Sequence, residues 1–254
     1  MGCDSKKKEF DRCFNQGLVL GSSTFGIIQL INNKKEILDE EIGKKFSLDK
    51  LDIKWVSPIS PDYLEYYDDD FLKVLGLKEW TDSKIPLNQF WPKNGPHWDG
   101  LGFCINNNIE KVFIVEAKSR LPEMFNDIYE NIQPKSLELI KKSLTDVFKH
   151  IRPYCDYQYI GDWTKAFYQY ANRIAHLYYL RVLNELNGIN SSADVYLVYV
   201  YFINDPYWHE NAIKTKEEWE GIISTVKHYL GFSCGSHSLS NYVFDIFIDY
   251  NKIL

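Results

Sequence analysis

The run VYLVYVYFI, residues 195–203, leaves the chain few ways to fold. It is far shorter than the ~20 apolar residues a helix needs to cross a bilayer. Its β-branched and aromatic residues suit a pleated strand. A strand without polar positions belongs at the centre of a sheet, so helices must cover that sheet. The chain has 254 residues, 45% hydrophobic and 25% charged, enough for one sizeable core. A single domain over 1–254 is expected, with 1–59 as an N-terminal elaboration.

Flanking segments supply the partners of that strand. GLVLGSSTFGIIQLINN alternates weakly between Gly and Ser punctuation and is expected to form a hairpin or irregular strand pair. KKEILDEEIGKK reads as a short exposed helix. Ser60 as N-cap, Pro61 at the first helical position, acids in the first turn and Gly76 as a stop predict a helix over 61–75. A Pro/Gly-rich approach leads to a strand at 98–105, an Asn-rich turn near 106–110 and an apolar strand at 111–117, which together make a hairpin. Helical periodicity follows over 122–150 and 164–187. TKEEWEGIISTVKHYLG is an amphipathic helix closed by Gly231, and YVFDIFIDY alternates as an edge strand. The order predicts an α/β sandwich with a mixed central sheet flanked by helices.

The hairpin's second strand ends unusually, in VFIVEAKSR (112–120). Positions two apart on a strand share a face, so Glu116 and Lys118 project together while Ala117 faces away. The hairpin turn brings Asp99 of the preceding strand close to Glu116. Two carboxylates, a backbone carbonyl and water suit Mg²⁺ or Mn²⁺ rather than zinc. A neighbouring Lys can orient metal-bound water or stabilise charge growing on a phosphate. A Glu and a Lys at a strand end are also an ordinary solvated salt bridge, so the pair alone decides nothing.

FWPKNGPHWDGLG, then VEAKS, then FYQYANRIAHLYYLR resemble motifs of a bacterial group within the PD-(D/E)xK nuclease superfamily, over about residues 60–235. Trp98 stands where a Pro is usual in that signature, with Pro96 near. The resemblance implies a restriction-endonuclease-like fold, Asp99 and Glu116 as metal ligands together with the Ala117 backbone carbonyl, and Lys118 as the group that positions the attacking water. Related exonucleases carry a Gln on the helix corresponding to YQYANRIAHLYYLR, followed four residues later by Tyr, a place taken here by Arg173.

At about 100° per residue, Gln169, Asn172, Arg173 and His176 fall in one sector of that helix, which continues with Leu180 and Leu183. Buried polar groups need partners. Gln169 and Arg173 are expected to touch substrate or support the site, and Asn172 and His176 to tie helix to sheet. Superfamily members often add an acid from the first core helix, for which Glu65 is the candidate. A His in a Pro/Gly loop is usually just loop chemistry; beside Asp99, His97 is a candidate for contact with the scissile phosphate. Asp68–Asp70 read as a solvated face, and the basic stretch 135–152 as an exposed helix that could also follow a nucleic-acid backbone. Most of the plentiful Trp and Tyr residues, Trp91, Trp98, Trp163, Tyr168 and Trp208 among them, are expected in the core or at its rim, with base stacking as the alternative use.

The net charge of −6 and pI of about 5.6 exclude a generally basic nucleic-acid coat, so any such contact needs a local patch. Five scattered cysteines without CxxC spacing indicate neither a disulfide framework nor a zinc knuckle and fit the cytoplasm. The start MGCDSKKKEF lacks a secretion-type apolar core, and Lys6 stands where myristoylation wants Ser or Thr. The expected function is a Mg²⁺-dependent (or Mn²⁺-dependent) nuclease acting on nucleic acid, DNA foremost, with no membrane partner. The alternatives are a catalytically silent nuclease-fold scaffold or a hydrolase of a small phosphate ester. Oligomeric state is open.

Overall fold

The computed structural model describes residues 23–49, 51–81, 83–106, 109–151, 161–183, 193–232 and 238–254. Five strands form one mixed sheet in the order β1 (Lys54–Ser57), β2 (Gly100–Asn106), β3 (Ile109–Lys118), β4 (Ala193–Ile203) and β5 (Val243–Asp249). β1, β2 and β3 pair antiparallel; β3, β4 and β5 pair parallel. The apolar run is thus the inner strand β4, and YVFDIFIDY lies at an edge, as its alternation demanded.

Two cores follow from strand alternation. Val112 and Ile114 of β3 with Val195, Leu197, Tyr199 and Tyr201 of β4 face one layer; Phe113, Val115 and Ala117 with Tyr196, Val198, Val200 and Phe202 face the other. The first layer holds α4 (Pro134–Ile151), α5 (Tyr168–Tyr178) and α6 (Lys216–Tyr229). The second holds α1 (Ser23–Asn33) and α2 (Lys35–Lys45). Ahead of β2 runs a short helix α3 (Asp68–Val74), which joins the first layer. Glu116 and Lys118 continue the row Val112–Ile114 and so point toward α5.

Several local expectations change. The stretch 23–33 is a helix, not a strand pair, because Phe25, Ile27, Ile28, Leu30 and Ile31 make one buried face that the sheet needs covered. Residues 17–22 of that expected hairpin lie outside the described residues. The helix α2 is exposed on one side only, since Leu38, Asp39 and Ile42 are buried and Asp39 accepts the Trp55 indole N–H at 2.9 Å. The segment expected as an elaboration therefore supplies β1 and the whole second layer. The helix expected over 61–75 begins only at Asp68, whose carboxylate takes the backbone N–H groups of Asn94 and Gly95 at 3.1 and 3.0 Å. Asp68 is thus a tie to the Pro/Gly loop, not part of a solvated face. The 122–150 helix starts at Pro134, and the long helix expected from 164 runs from Tyr168 to Tyr178 and ends in a π-type turn, Tyr179–Leu183.

The helix α6 matches its sequence signals: Thr215 and Glu218 form a reciprocal capping box, and Gly231 adopts a left-handed φ of 77° beyond its end. Cys104 is buried and free; the other four cysteines lie outside the described residues. Among the described residues no helix is long and apolar enough to cross a membrane.

Gly26 of α1 lies where a Cβ would come within 2.6 Å of the fully buried Phe202 ring. Gly26→Ala gains ~1 kcal/mol of helix propensity, but overpacking costs ~1–3 kcal/mol. The packing term wins, and a Tm drop of about 2–4 °C is expected by calorimetry; an unchanged or higher Tm would mean that α1 can shift away from the sheet.

Candidate functional site

β2 begins at Gly100, opposite Val115, so the backbone N–H of Ala117 extends past the end of the ladder. Asp99 completes the pairing: its own N–H donates to the Val115 carbonyl at 3.1 Å, and its Oδ2 accepts the Ala117 N–H at 2.7 Å. An extended residue presents N–H and C=O toward the same neighbour. The Ala117 carbonyl therefore lies along the edge that Asp99 occupies.

Glu116 is almost fully buried and is met by two cations. Lys118 Nζ lies 2.5 Å from its Oε1, and Arg173 Nε lies 2.6 Å from its Oε2. Burial pushes the Glu116 carboxyl up, yet Arg173 and Lys118 together outweigh it and hold the group below the usual range. Asp99 has no such cation bonded to it. Burial, reinforced by the Glu116 charge, raises it to about 8. Glu65 is raised too, chiefly by burial.

The helix α5 delivers Gln169 and Arg173 one turn apart. Gln169 Oε1 accepts from Lys118 Nζ at 2.8 Å, so Lys118 is bridged between β3 and α5. Arg173 also donates to the His97 carbonyl at 2.9 Å and lies over the Trp98 ring at 5.0 Å, fixing the loop that leads into Asp99. Of the other two polar residues in this sector, His176 is buried against Trp91 and Trp98, its Nδ1 3.0 Å from the Asn172 carbonyl oxygen. His176 therefore serves the core through a bond within its own helix, and Asn172 lines the cleft with its buried Oδ1 unpartnered, so neither ties helix to sheet by a side-chain hydrogen bond among the described residues.

The His97 ring is stacked on Tyr67 at 4.3 Å, with Nδ1 3.8 Å from a Glu65 oxygen. Glu65 sits in the irregular stretch before α3 rather than on a helix. Both line a cleft of about 1330 Å³ shared with Asp99, Glu116, Lys118, Gln169 and Arg173. The structure thus gathers the side chains of all seven of these residues at one cleft, while Ala117 is fully buried and does not line it. The basic face of α4 reaches the cleft only through Ser136 and Ile140.

Asn126 carries a role no local pattern announced. Its Oδ1 accepts the Gln169 N–H at 2.5 Å, its carbonyl takes the Tyr168 N–H at 3.1 Å, and its Nδ2 reaches Gln169 Oε1 at 3.3 Å. It caps the open N-terminus of α5, where Phe167 offers no side-chain cap. A pairing across 43 residues leaves no signal in sequence spacing. Ser119 and Asp205 are a second such pair: their side chains hydrogen-bond where β3 and β4 end.

Two carboxylates and a backbone carbonyl are the donor types a hard divalent cation takes. Mg²⁺ commonly takes one or two carboxylates and fills its octahedron with water and substrate oxygens; among the described residues no group of three or more His, Cys, Asp or Glu side chains is placed to hold a metal ion. Burial first and the Glu116 charge second raise Asp99 to about 8, so without an ion it holds its proton at neutral pH, and a bound cation would displace that proton. Entry of the ion would require Lys118 or Arg173 to release one Glu116 oxygen.

Removing a partner of a buried ion pair costs ~3–5 kcal/mol. Because Lys118 still faces Glu116, Arg173→Ala is expected at the low end, ~3 kcal/mol, in urea denaturation, and Glu116→Gln should partly restore stability in the Arg173→Ala background. A second expectation concerns acid. Burial lowers His176 to about 3 from its ordinary 6.5. The unfolded chain then binds a proton that the folded chain refuses, so stability falls as pH drops from about 6.5 toward 3. The slope should flatten in His176→Phe, read from denaturation midpoints across that window; an unchanged slope would place the acid sensitivity elsewhere. Comparison with family models, curated proteins and solved structures gives no match for this chain.

Proposed function

We propose that the protein is a divalent-metal-dependent nuclease with its reacting centre at Asp99, Glu116 and Lys118, on a restriction-endonuclease-like variant of the mixed α/β sandwich. One observation carries the reading. A hairpin sets two carboxylates and a lysine together at a cleft of about 1330 Å³, and the lysine is held by Glu116 and Gln169. Small-molecule pockets commonly span ~300–1,000 Å³. The larger cleft favours a polymer over a small phosphate ester.

Asp99, Glu116 and the Ala117 carbonyl would hold Mg²⁺ or Mn²⁺. The bound ion supplies positive charge that polarises a phosphodiester and makes coordinated water more acidic. Lys118 then presents an ammonium, fixed from two sides, to the oxygen on which charge grows or to the attacking water. Gln169 keeps the lysine aimed, and Asn126 keeps Gln169 aimed. Arg173 holds the approach loop through the His97 carbonyl and offsets the Glu116 charge when no ion is present. DNA is the first polymer to test, with RNA beside it.

A second reading, a non-catalytic scaffold, draws support from Glu116 itself, since both its oxygens are already occupied by cations. Metal binding separates the two. With Mn²⁺ and labelled DNA or RNA, the nuclease reading expects cutting that falls at least ~100-fold in Asp99→Ala, Glu116→Ala and Lys118→Ala. It also expects Mn²⁺ binding, by calorimetry, that is lost in Asp99→Ala and kept in Lys118→Ala. No site-specific Mn²⁺ affinity in the folded protein would sink it in favour of the scaffold.

A further inference from the structure

The lining of the cleft holds more carboxyl groups than cationic side chains. Among the described residues lining it are the carboxylates of Glu65, Asp99, Glu116, Glu123, Asp127 and Glu130, against the cations Lys93, Lys118 and Arg173. Two of those three cations are bonded to Glu116, while Glu123 and Asp127 are paired with Arg120 and Lys165 behind the lining, so few cations are left free for phosphates. Duplex DNA is gripped mainly by rows of Lys and Arg along its phosphates. Even after one divalent ion is added, this cleft offers no such row.

Exposed rings are present instead. Tyr129 is 85% exposed and Phe125 56% exposed, both on the irregular segment between β3 and α4, and both line the cleft. Large apolar side chains left in solvent at one place mark a binding surface. Tyr168 lines the same cleft. Tyr168 in turn lies parallel to Trp91, with ring centroids 6.5 Å apart. Across the sequence, the Tyr67 ring, 38% exposed, stacks on His97, which also lines the cleft. Rings from two separate segments therefore line the cleft that holds the carboxylate pair, a cleft poor in phosphate-binding cations.

We propose that the cleft takes single-stranded nucleic acid through its bases, which stack on Tyr129 and Phe125 and on the Tyr67–His97 pair, and that it discriminates against duplex. In a duplex the base faces are already stacked on one another and unavailable to side chains, whereas a single strand exposes them. Stacking tolerates any base, so the expected preference is for strandedness rather than sequence. Few phosphate contacts also imply a shallow dependence of affinity on salt. The proposal rests on the nuclease reading for the polymer, though not for cleavage.

The test is fluorescence anisotropy with a labelled 12-nucleotide single strand, as DNA and as RNA, and a hairpin duplex of matching sequence. The full-length protein is titrated in Ca²⁺ and again in EDTA, at two salt concentrations. Tyr129 is the variant of choice because its exposure makes misfolding of Tyr129→Ala a remote concern, while Phe125 also packs on Phe167. At least one single strand should bind about ten-fold or more tighter than the duplex. Tyr129→Ala should weaken that binding about five-fold or more, and Tyr129→Trp should restore it. Equal or tighter duplex binding, an effect of Tyr129→Ala below about two-fold, or no nucleic-acid binding at all with a protein partner captured instead, would each overturn the proposal. Metal-dependent cutting of duplex plasmid, undiminished in Tyr129→Ala, would overturn this inference and leave the nuclease reading standing. Tight, Tyr129-dependent binding of single strands without any metal-dependent cutting would do the reverse.

Discussion

Glu116 is a carboxylate that the strand pattern forces into the interior, and its ion pairs decide how the first helical layer sits on the sheet. It occupies the third place in a row that begins with Val112 and Ile114, so it faces α5 whatever its polarity. An unpaired charge there would be very costly, and two cations meet it. Arg173 does so from α5, and because its Nη2 reaches the His97 carbonyl, one guanidinium joins sheet, helix and approach loop. Lys118 approaches from the same strand and is returned to α5 by Gln169.

The surrounding contacts keep that arrangement from spreading. Asp99 takes the Ala117 N–H at the point where β2 ends, which holds the two carboxylates on adjacent strands. Asn126 caps α5 and braces Gln169, while Tyr170 of α5 stacks on Tyr199 of β4 at 4.5 Å with the rings parallel. Ser119 and Asp205 hydrogen-bond where β3 and β4 end, and Arg120 stacks on Trp208 at 3.8 Å beside them. Each tie joins a different pair of elements. A functional constellation depends on such supporting hydrogen bonds and packing, since small misplacements are expensive in rate.

Much of the frame was legible because its signals are local. The apolar run at 195–203, the period-two edge strand and the Thr215–Glu218 box depend on neighbours a few residues away, and each is found in place. The misreadings arose where a distant group overrode a local signal. Ser60, Pro61 and Gly76 promised a helix, but Asp68 is held by the loop at Asn94 and Gly95, and the chain stays irregular until that anchor is made. The stretch 23–33 has Gly and Ser that suggest breaks, yet the open face of the sheet rewards a continuous apolar helix, and Gly26 lets it approach Phe202.

For the site, the sequence by itself determined that Glu116 and Lys118 share a face, that Asp99 comes alongside through the hairpin, and that Gln169, Asn172, Arg173 and His176 share one sector of a helix. Those are consequences of backbone periodicity, which needs no knowledge of the rest of the fold. Only the tertiary structure decided that Arg173 neutralises Glu116 while Asp99 is left with an elevated pKa, that His176 belongs to the core, that Asn126 braces Gln169, and that Tyr129 and Phe125 stand exposed at the cleft. The physical reason is that ion pairing, desolvation and exposure depend on which elements meet across tens of residues. Periodicity gives the direction a side chain points, whereas its partner is set by the packing of the layers.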